Sequence, residues 1–349
     1  MMMRTPPGRR LGARIVVLLA AAVLTTLFVP SVGRVGASGG EAPLTVVSFN
    51  IRLASASDGP DGWEHRRELA FDVIRDLDPD IVGFQEPELE QIHDVLAAFG
   101  DEYGIVGRSA GDGAPFAGDA AEGKFNAIMY RAGRFRLRYH DTFWFSETPA
   151  EPGSVGWGAA LPRIATWAKL DDRDSGETLY VYSVHLDYAS QRAREESTAL
   201  LLEAFLDRPS PGPVFVLGDF NANELNPAVR LLLDEPAASG GEEEGGFAGR
   251  GAGDNHPGRA GAPDAGPDAR RALDPRPLVD TYRVLYPDDE LSEIGTFHDF
   301  SGEPLTTKID FVLAPAGIPV LEAGIIRTHA GGRYPSDHFP VYAVVDLGR

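Results

Sequence analysis

The feature that most limits the fold is a succession of short apolar, β-rich runs broken by helical segments without a regular repeat. From Leu44 onward, "LTVVSFNIR" (44–52) alternates, "DIVGFQE" (80–86) is continuously apolar, and "TLYVYSVHLD" (178–187) and "PVFVL" (213–217) follow the same style. "FNAIMYR", "FRLRYHDTFWF" and "RIATWAKL" read as consecutive strands joined by turns. "KIDFVLAP" (308–315), "VLEAGIIRT" (320–328) and "FPVYAVVDL" (339–347) close the chain. Helical spacing is confined to "WEHRRELAFDVIRDLDP" (63–79), "QRAREESTALLLEAFLDR" (191–208) and a short stretch near 227–234. Many strands with only occasional helices do not suit a chain of βαβ units. They suit stacked sheets flanked by helices.

Two segments depart from this pattern. Arg4, Arg9, Arg10 and Arg14 precede the apolar run Ile15–Val29, and small residues follow at Val35 and Ala37. A basic segment, an apolar segment and a small-x-small site form a secretory signal, so residues 1–37 are expected to be removed on export and 38–43 to be a linker. The alternative is a retained membrane anchor, for which fifteen apolar residues are slightly short. The chain has no cysteine, which excludes disulfides, thiolate metal sites and cysteine nucleophiles. Residues 235–276 are rich in Gly, Ala, Pro and acids, with almost no large apolar side chain. That stretch is expected to be a disordered insertion within a domain spanning 44–347.

A formal charge of −20 repels polyanions, and no basic stripe is evident that would hold duplex DNA. This balance favours a small or lipid-linked substrate over duplex DNA; no stable nucleic-acid complex is expected, and the protein is expected to be a monomer.

Polar residues recur at what read as the C-terminal ends of buried strands: Asn50, Glu86, His185 with Asp187, Asp219 with Asn221, Asp310, and Asp337 with His338. Each alone has an ordinary explanation as a cap, a turn or a core histidine. Gly218 is expected to break its strand. If the chain beyond it stays extended, Asp219 and Asn221 point to one side and Phe220 to the other. Asn223 and Asn226 fit turn and helix-cap roles. Six such ends together imply a crevice along one sheet edge. Carboxylates and carboxamides are hard oxygen ligands suited to Mg²⁺, or to Mn²⁺, and imidazoles beside them suit acid–base work or charge stabilisation.

The ordered motifs "VVSFNIR", "IVGFQE", "YSVHLD", "VLGDFNAN", "KIDFVLA" and "RYPSDHFPV" resemble the endonuclease/exonuclease/phosphatase superfamily, which includes deoxyribonuclease I, neutral sphingomyelinases, inositol polyphosphate 5-phosphatases and deadenylases. "DGWEHRRE", "FWFSETP" and "GWGAALPRIATWAKL" look closer to a bacterial, often exported metal-dependent hydrolase branch. The resemblance implies an α/β (α+β) four-layer sandwich of two stacked, mostly antiparallel sheets flanked by helices. It implies a metal-dependent hydrolase of phosphoester bonds. Glu86 would be the principal Mg²⁺ ligand, with Asn50 and Asp337 completing that shell. Asp219 would orient or deprotonate the attacking water, and Asn221 would hold the phosphate or the nucleophile. His338 would contact a phosphate oxygen with Asp310 fixing its tautomer, and His185 would stabilise the pentacovalent transition state. Asp187 would support that site.

Arg163 could contact a phosphate, with a structural ion pair an equally good account. Asn126 begins a strand at a commonly occupied family position. Trp63, Trp144 and Trp157 are more readily core than pocket. Three alternatives stand beside the phosphoesterase reading. One is a secreted nuclease on DNA or RNA. Another is a binding domain that has lost catalysis. The third is a glycosidase, whose paired carboxylates lack supporting spacing.

Overall fold

The computed structural model describes residues 43–118, 120–234 and 273–348. The expected signal segment and almost all of the expected insertion lie outside the described residues. Among these, one six-stranded sheet contains β1 (Leu44–Asn50), β2 (Ile81–Gln85), β3 (Tyr103–Val106), β4 (Ile128–Arg131), β11 (Val320–Ile325) and β12 (Val341–Val345), in the order β11-β12-β1-β2-β4-β3. The other contains β5 (Phe135–Trp144), β6 (Ile164–Asp172), β7 (Thr178–His185), β8 (Val214–Asp219), β9 (Leu278–Asp280) and β10 (Asp310–Pro315), in the order β5-β6-β7-β8-β10-β9. Pairing is antiparallel except between β1 and β2 and between β7 and β8. Both parallel pairs are joined through a helix, Trp63–Leu77 and Gln191–Leu206 respectively, since a parallel crossover needs a long connection.

Helices α1 (Trp63–Leu77) and α2 (Leu89–Phe99) cover the first sheet, and α3 (Gln191–Leu206) and α4 (Pro227–Leu233) cover the second. A short α5 (Thr281–Leu285) follows β9. Val46, Ile81, Val181, Phe215 and Leu217 pack between the sheets. Val47, Phe49, Val82 and Phe84 face α1 and α2, while Val214, Val216 and Phe220 face α3 and α4. The order helix, sheet, sheet, helix is the four-layer sandwich expected. It also explains why β1 is buried along its whole length and not on one face only: covered strands lose the half-exposed alternation. Burying each such Val, Leu or Phe contributes about 1.5–3 kcal/mol.

Gly83 sets how closely the sheets approach, since a Cβ there would lie 2.7 Å from that of Leu217. Gly218 does not break β8, which runs through it to Asp219. Its missing side chain leaves room for Val184, whose carbonyl oxygen a Cβ would approach to 2.5 Å. Helix α1 stops at Leu77 because Asp78 turns left-handed at φ 43°. Asn226 caps α4 through the backbone N–H of Ala228, and Asn223 accepts from Leu225 N–H. At the pole opposite the polar strand ends, Arg134 bridges Asp80 and Asp172, both at 2.8 Å, tying the two sheets together. No described helix is long and apolar enough to cross a membrane.

Candidate active site

Strand register builds the site. His185 is the Cα partner of Asp219 across the parallel β7–β8 pair, and Asp219 is the partner of Asp310 across the antiparallel β8–β10 pair. Three neighbouring strands therefore set His185, Asp219 and Asp310 in one row. Asp310 does not end its strand, as expected, but opens it; Asp337 and His338 likewise precede β12. Antiparallel strands bring their starts to the same edge as their neighbours' ends, so the convergence survives the reversal. In the first sheet Asn50 pairs with Gln85, which places Asn50 beside Glu86.

The expected common side of Asp219 and Asn221 has a different origin. The chain leaves the strand at Asp219, and Asn221 sits at φ 47° in a turn whose N–H donates 2.9 Å to Asp219 Oδ1. Phe220 is driven into the apolar layer under α3, packing edge-on to Phe311. The Asn221 carboxamide donates to His185 Nε2 and to the Leu186 carbonyl, each at 3.0 Å. Both amide hydrogens are thus used within the protein, leaving Oδ1 as an acceptor for a further group.

Asp219 Oδ2 accepts 3.0 Å from Asn50 Nδ2 and lies 3.4 Å from His185 Nε2 and 3.8 Å from His338 Nε2. Burial, and then the neighbouring Asp310 carboxylate, push the Asp219 carboxyl up to about 7. His338 Nδ1 is hydrogen-bonded to Asp310 Oδ2 at 2.9 Å. Burial opposes its charge, but Asp310 and Asp219 outweigh it and raise the imidazole to about 10. His185 goes the other way: burial, reinforced by the Arg163 and Lys124 cations, holds it well below an ordinary histidine. One imidazole is a cation and the other is neutral. Because His185 Nε2 accepts from Asn221, its proton belongs on Nδ1, which faces Glu86 Oε1 at 3.8 Å.

Glu86, at φ 70°, accepts from Leu53 N–H and meets Lys124 Nζ at 2.7 Å. Burial would raise its pKa, but Lys124 brings it below the usual carboxylate value. Asp337 is raised by burial, with Glu86 adding like-charge repulsion. An all-oxygen set of two mutually repelling carboxylates and the Asn50 carboxamide suits a hard divalent cation. Asp219, Asp310 and His338 also offer atoms within 4.8 Å of one another. There, however, His338 is protonated, with Nδ1 on Asp310, and an imidazolium has no lone pair to give a metal, so Glu86, Asn50 and Asp337 remain the better donors.

The three residues expected to touch substrate divide. Asp187 is buried and saturated, accepting from Ala160, Ala189 and Ser190 N–H groups, with Arg163 Nε at 3.5 Å, so it orders loops beneath the site. Asn126 lies just before β4, not in it, and donates 2.6 Å to the Ile164 carbonyl. Arg163 makes the structural ion pair and also lines a cavity beside His185. Trp63, Trp144 and Trp157 are all buried.

Two cations at the site, Lys124 and Arg66, are not among the expected site residues, although Arg66 falls within "DGWEHRRE". Arg66 is fully buried, and its guanidinium donates to the carbonyls of Ile51, Arg52, Asp61 and Pro335. It joins the loop after Asn50 to the loop before Asp337. Its position within "WEHRRE", on a helix that otherwise shows an ordinary apolar face, is the only signal that could have found it. Arg66→Met is expected to cost about 2–4 kcal/mol of stability in a urea titration, because several buried acceptors lose their donor at once.

A family model described as the endonuclease/exonuclease/phosphatase family matches residues 47–338, the span that holds every residue of this site. The chain belongs to that family. Among solved structures, the endonuclease/exonuclease/phosphatase from Bacteroides vulgatus has a TM-score of 0.67 at 24% identity, covering 87% of this chain and 99% of that one. A mannosyl-6-phosphatase from Bacteroides thetaiotaomicron has a TM-score of 0.65 at 28% identity, covering 87% of this chain and 100% of that one. An uncharacterized protein, L388, of Acanthamoeba polyphaga mimivirus is 28% identical over 180 residues, 49% of this chain and 62% of that protein; the match thus spans less than two thirds of that relative. Neighbours in this family are phosphoester hydrolases, and the eight motif residues from Asn50 to His338 meet at one edge of the sandwich.

Proposed function

We propose that the protein is an exported, divalent-metal-dependent phosphoesterase that hydrolyses a small or lipid-linked phosphodiester or phosphomonoester by in-line attack of water. The observation that carries this is the row His185–Asp219–Asp310, completed by Asn221 and His338 and set against the oxygen donors Glu86, Asn50 and Asp337. The mannosyl-6-phosphatase neighbour supports a phosphatase over a nuclease, and the charge of −20 argues in the same direction. Export rests on the N-terminal pattern of residues 1–37.

Glu86, Asn50 and Asp337 would hold Mg²⁺, or Mn²⁺, which supplies charge neutralisation at the phosphate oxygens. The rest falls to the chain's own residues. Asp219, with a pKa near neutrality, accepts a proton from the attacking water at its carboxylate. Asn221, with both amide hydrogens engaged, offers Oδ1 to orient that water; this favours the nucleophile over the phosphate as its partner. His338 presents the positive charge and Nε2–H to a non-bridging oxygen, with Asp310 fixing Nδ1. His185 stays neutral, so it orders Asn221 and adds no charge of its own.

The test is a panel of phosphoesters, DNA and RNA assayed with Mg²⁺, Mn²⁺ and EDTA. Turnover of phosphoesters that EDTA reduces to background and Mg²⁺ or Mn²⁺ restores is the expected result. Cleavage of DNA or RNA alone would replace the proposal with the nuclease alternative, and EDTA-insensitive turnover would remove the metal. A pH profile follows from the same residues. Asp219 must be a carboxylate to accept a proton, so kcat/KM is expected to fall about tenfold per unit as pH drops below its pKa. That limb lies at about 7 or lower, since a bound cation favours the carboxylate. His338 keeps its proton until about 10.

A further inference from the structure

A cavity of about 130 Å³ lies beside His185, between residues 110–111 and 123–124 on one side and the turn leading into β6 on the other. It is a concave, mostly apolar recess next to the reacting groups, as small-molecule sites are. We propose that it receives the organic group of the phosphoester and selects a compact polyol, such as a sugar ring, over a nucleobase or a lipid chain. The inference rests on the hydrolase reading above and deepens it.

Three observations fix the chemistry. The first is the guanidinium of Arg163, buried to 6% exposure. Its Nε faces Asp187, while its two terminal nitrogens have no hydrogen-bond partner among the described residues. A fork of N–H donors at the cavity wall with no protein acceptor is matched by a pair of oxygens on the ligand. The second is charge. The cations on the cavity wall, Arg163 and Lys124, are already balanced by Asp187 and Glu86. The fork therefore meets neutral hydroxyls better than a second anion. The third is the rest of the wall. Leu161, Pro162 and Ile164 give an apolar surface for the C–H face of a ring. Among the described residues, no aromatic side chain other than the His185 imidazole lines the cavity, so a nucleobase finds no stacking platform. The nearby Tyr188 ring is not part of this wall and has the Arg163 guanidinium over it at 5.8 Å.

Part of the wall is also closely packed. A Cβ on Gly111 would lie 2.3 Å from the Glu122 carbonyl oxygen, and one on Gly153 would lie 2.4 Å from that of Gly111. Backbone packs on backbone there, and Trp144 Nε1 ties down the Ala110 carbonyl at 2.7 Å. This packing leaves no room between those segments for a long acyl chain. Leu161, 43% exposed, stands at the mouth.

The test compares kcat/KM of the full-length chain with Mg²⁺ for a hexose 6-phosphate, phenyl phosphate, a nucleoside 5′-monophosphate and a short-chain phosphatidic acid. The hexose phosphate is expected to lead the others by about tenfold or more, since a site built to bond hydroxyls discriminates against groups that lack them. Arg163→Gln is expected to raise KM for the hexose phosphate about tenfold and to narrow its lead over phenyl phosphate. Leu161→Trp, at an exposed position that folding tolerates, is expected to raise KM in order of the size of the alcohol. Equal efficiency on all four esters, or a lead for the nucleotide or the lipid, overturns the polyol subsite and leaves the phosphoesterase standing. No turnover of any ester with Mg²⁺ or Mn²⁺ overturns both.

Discussion

Asp219→Asn is expected to lower kcat by about 10³ or more while leaving the fold in place. The change keeps the shape of the side chain and, with its oxygen placed at the Oδ1 position, keeps the acceptor for Asn221 N–H. It gives up the acceptor for Asn50 Nδ2 and, with it, two functional contributions. An amide cannot take a proton from water, which forfeits general-base assistance worth about 10²–10⁴. It also removes one of the three carboxylates that hold His338 as a cation, weakening the charge presented to the phosphate. Two readouts separate these losses. The acidic limb of the pH profile should vanish, because the group that titrates near 7 is gone. The alkaline limb should move down from about 10, because His338 keeps only Asp310 and Asp337 of its three carboxylates. A variant that retains the acidic limb would show that another group is the base.

Much of this site is legible in the amino-acid sequence because strand-end chemistry is written in short contiguous motifs. "VLGDFNAN" places Asp219 and Asn221 within three residues, and only their mode of convergence differs, a left-handed turn instead of an extended chain. The direction of β10 and β12 is not legible. A strand reads much alike whether its polar residue opens or closes it, and pairing partners lie far off in sequence, as Asp219 and Asp310 do. Arg66 and Lys124 escape notice for a related reason. Each acts through contacts across long loops, Arg66 with Pro335 and Lys124 with Glu86, and neither stands in a pattern that distinguishes it from a surface cation. The protonation of the two histidines also depends on burial and neighbours. "VHLD" and "SDHF" look equivalent as sequence, yet His185 is held neutral and His338 charged.

Glu86→Gln is expected to weaken Mg²⁺ or Mn²⁺ binding strongly and to lower kcat/KM by about 10³ at limiting metal, a loss of several kcal/mol of charge stabilisation. Glutamine fits the same space, so Leu53 N–H keeps an acceptor, and thermal unfolding should change little. The removed charge matters more than the removed contact. Lys124 loses its carboxylate partner at 2.7 Å, and Asp337 loses the like charge that helps raise its pKa. The donor set that suited a divalent cation is left with one carboxylate, now beside an unbalanced ammonium. Repulsion from Lys124 then opposes any cation entering. This makes a second variant decisive: Glu86→Gln combined with Lys124→Met should recover part of the metal affinity lost in Glu86→Gln alone. Metal binding measured by Mn²⁺ electron paramagnetic resonance, independent of turnover, reads both steps. Unchanged Mn²⁺ affinity in Glu86→Gln would remove Glu86 from the metal site and shift that role to the Asp219–Asp310–His338 cluster.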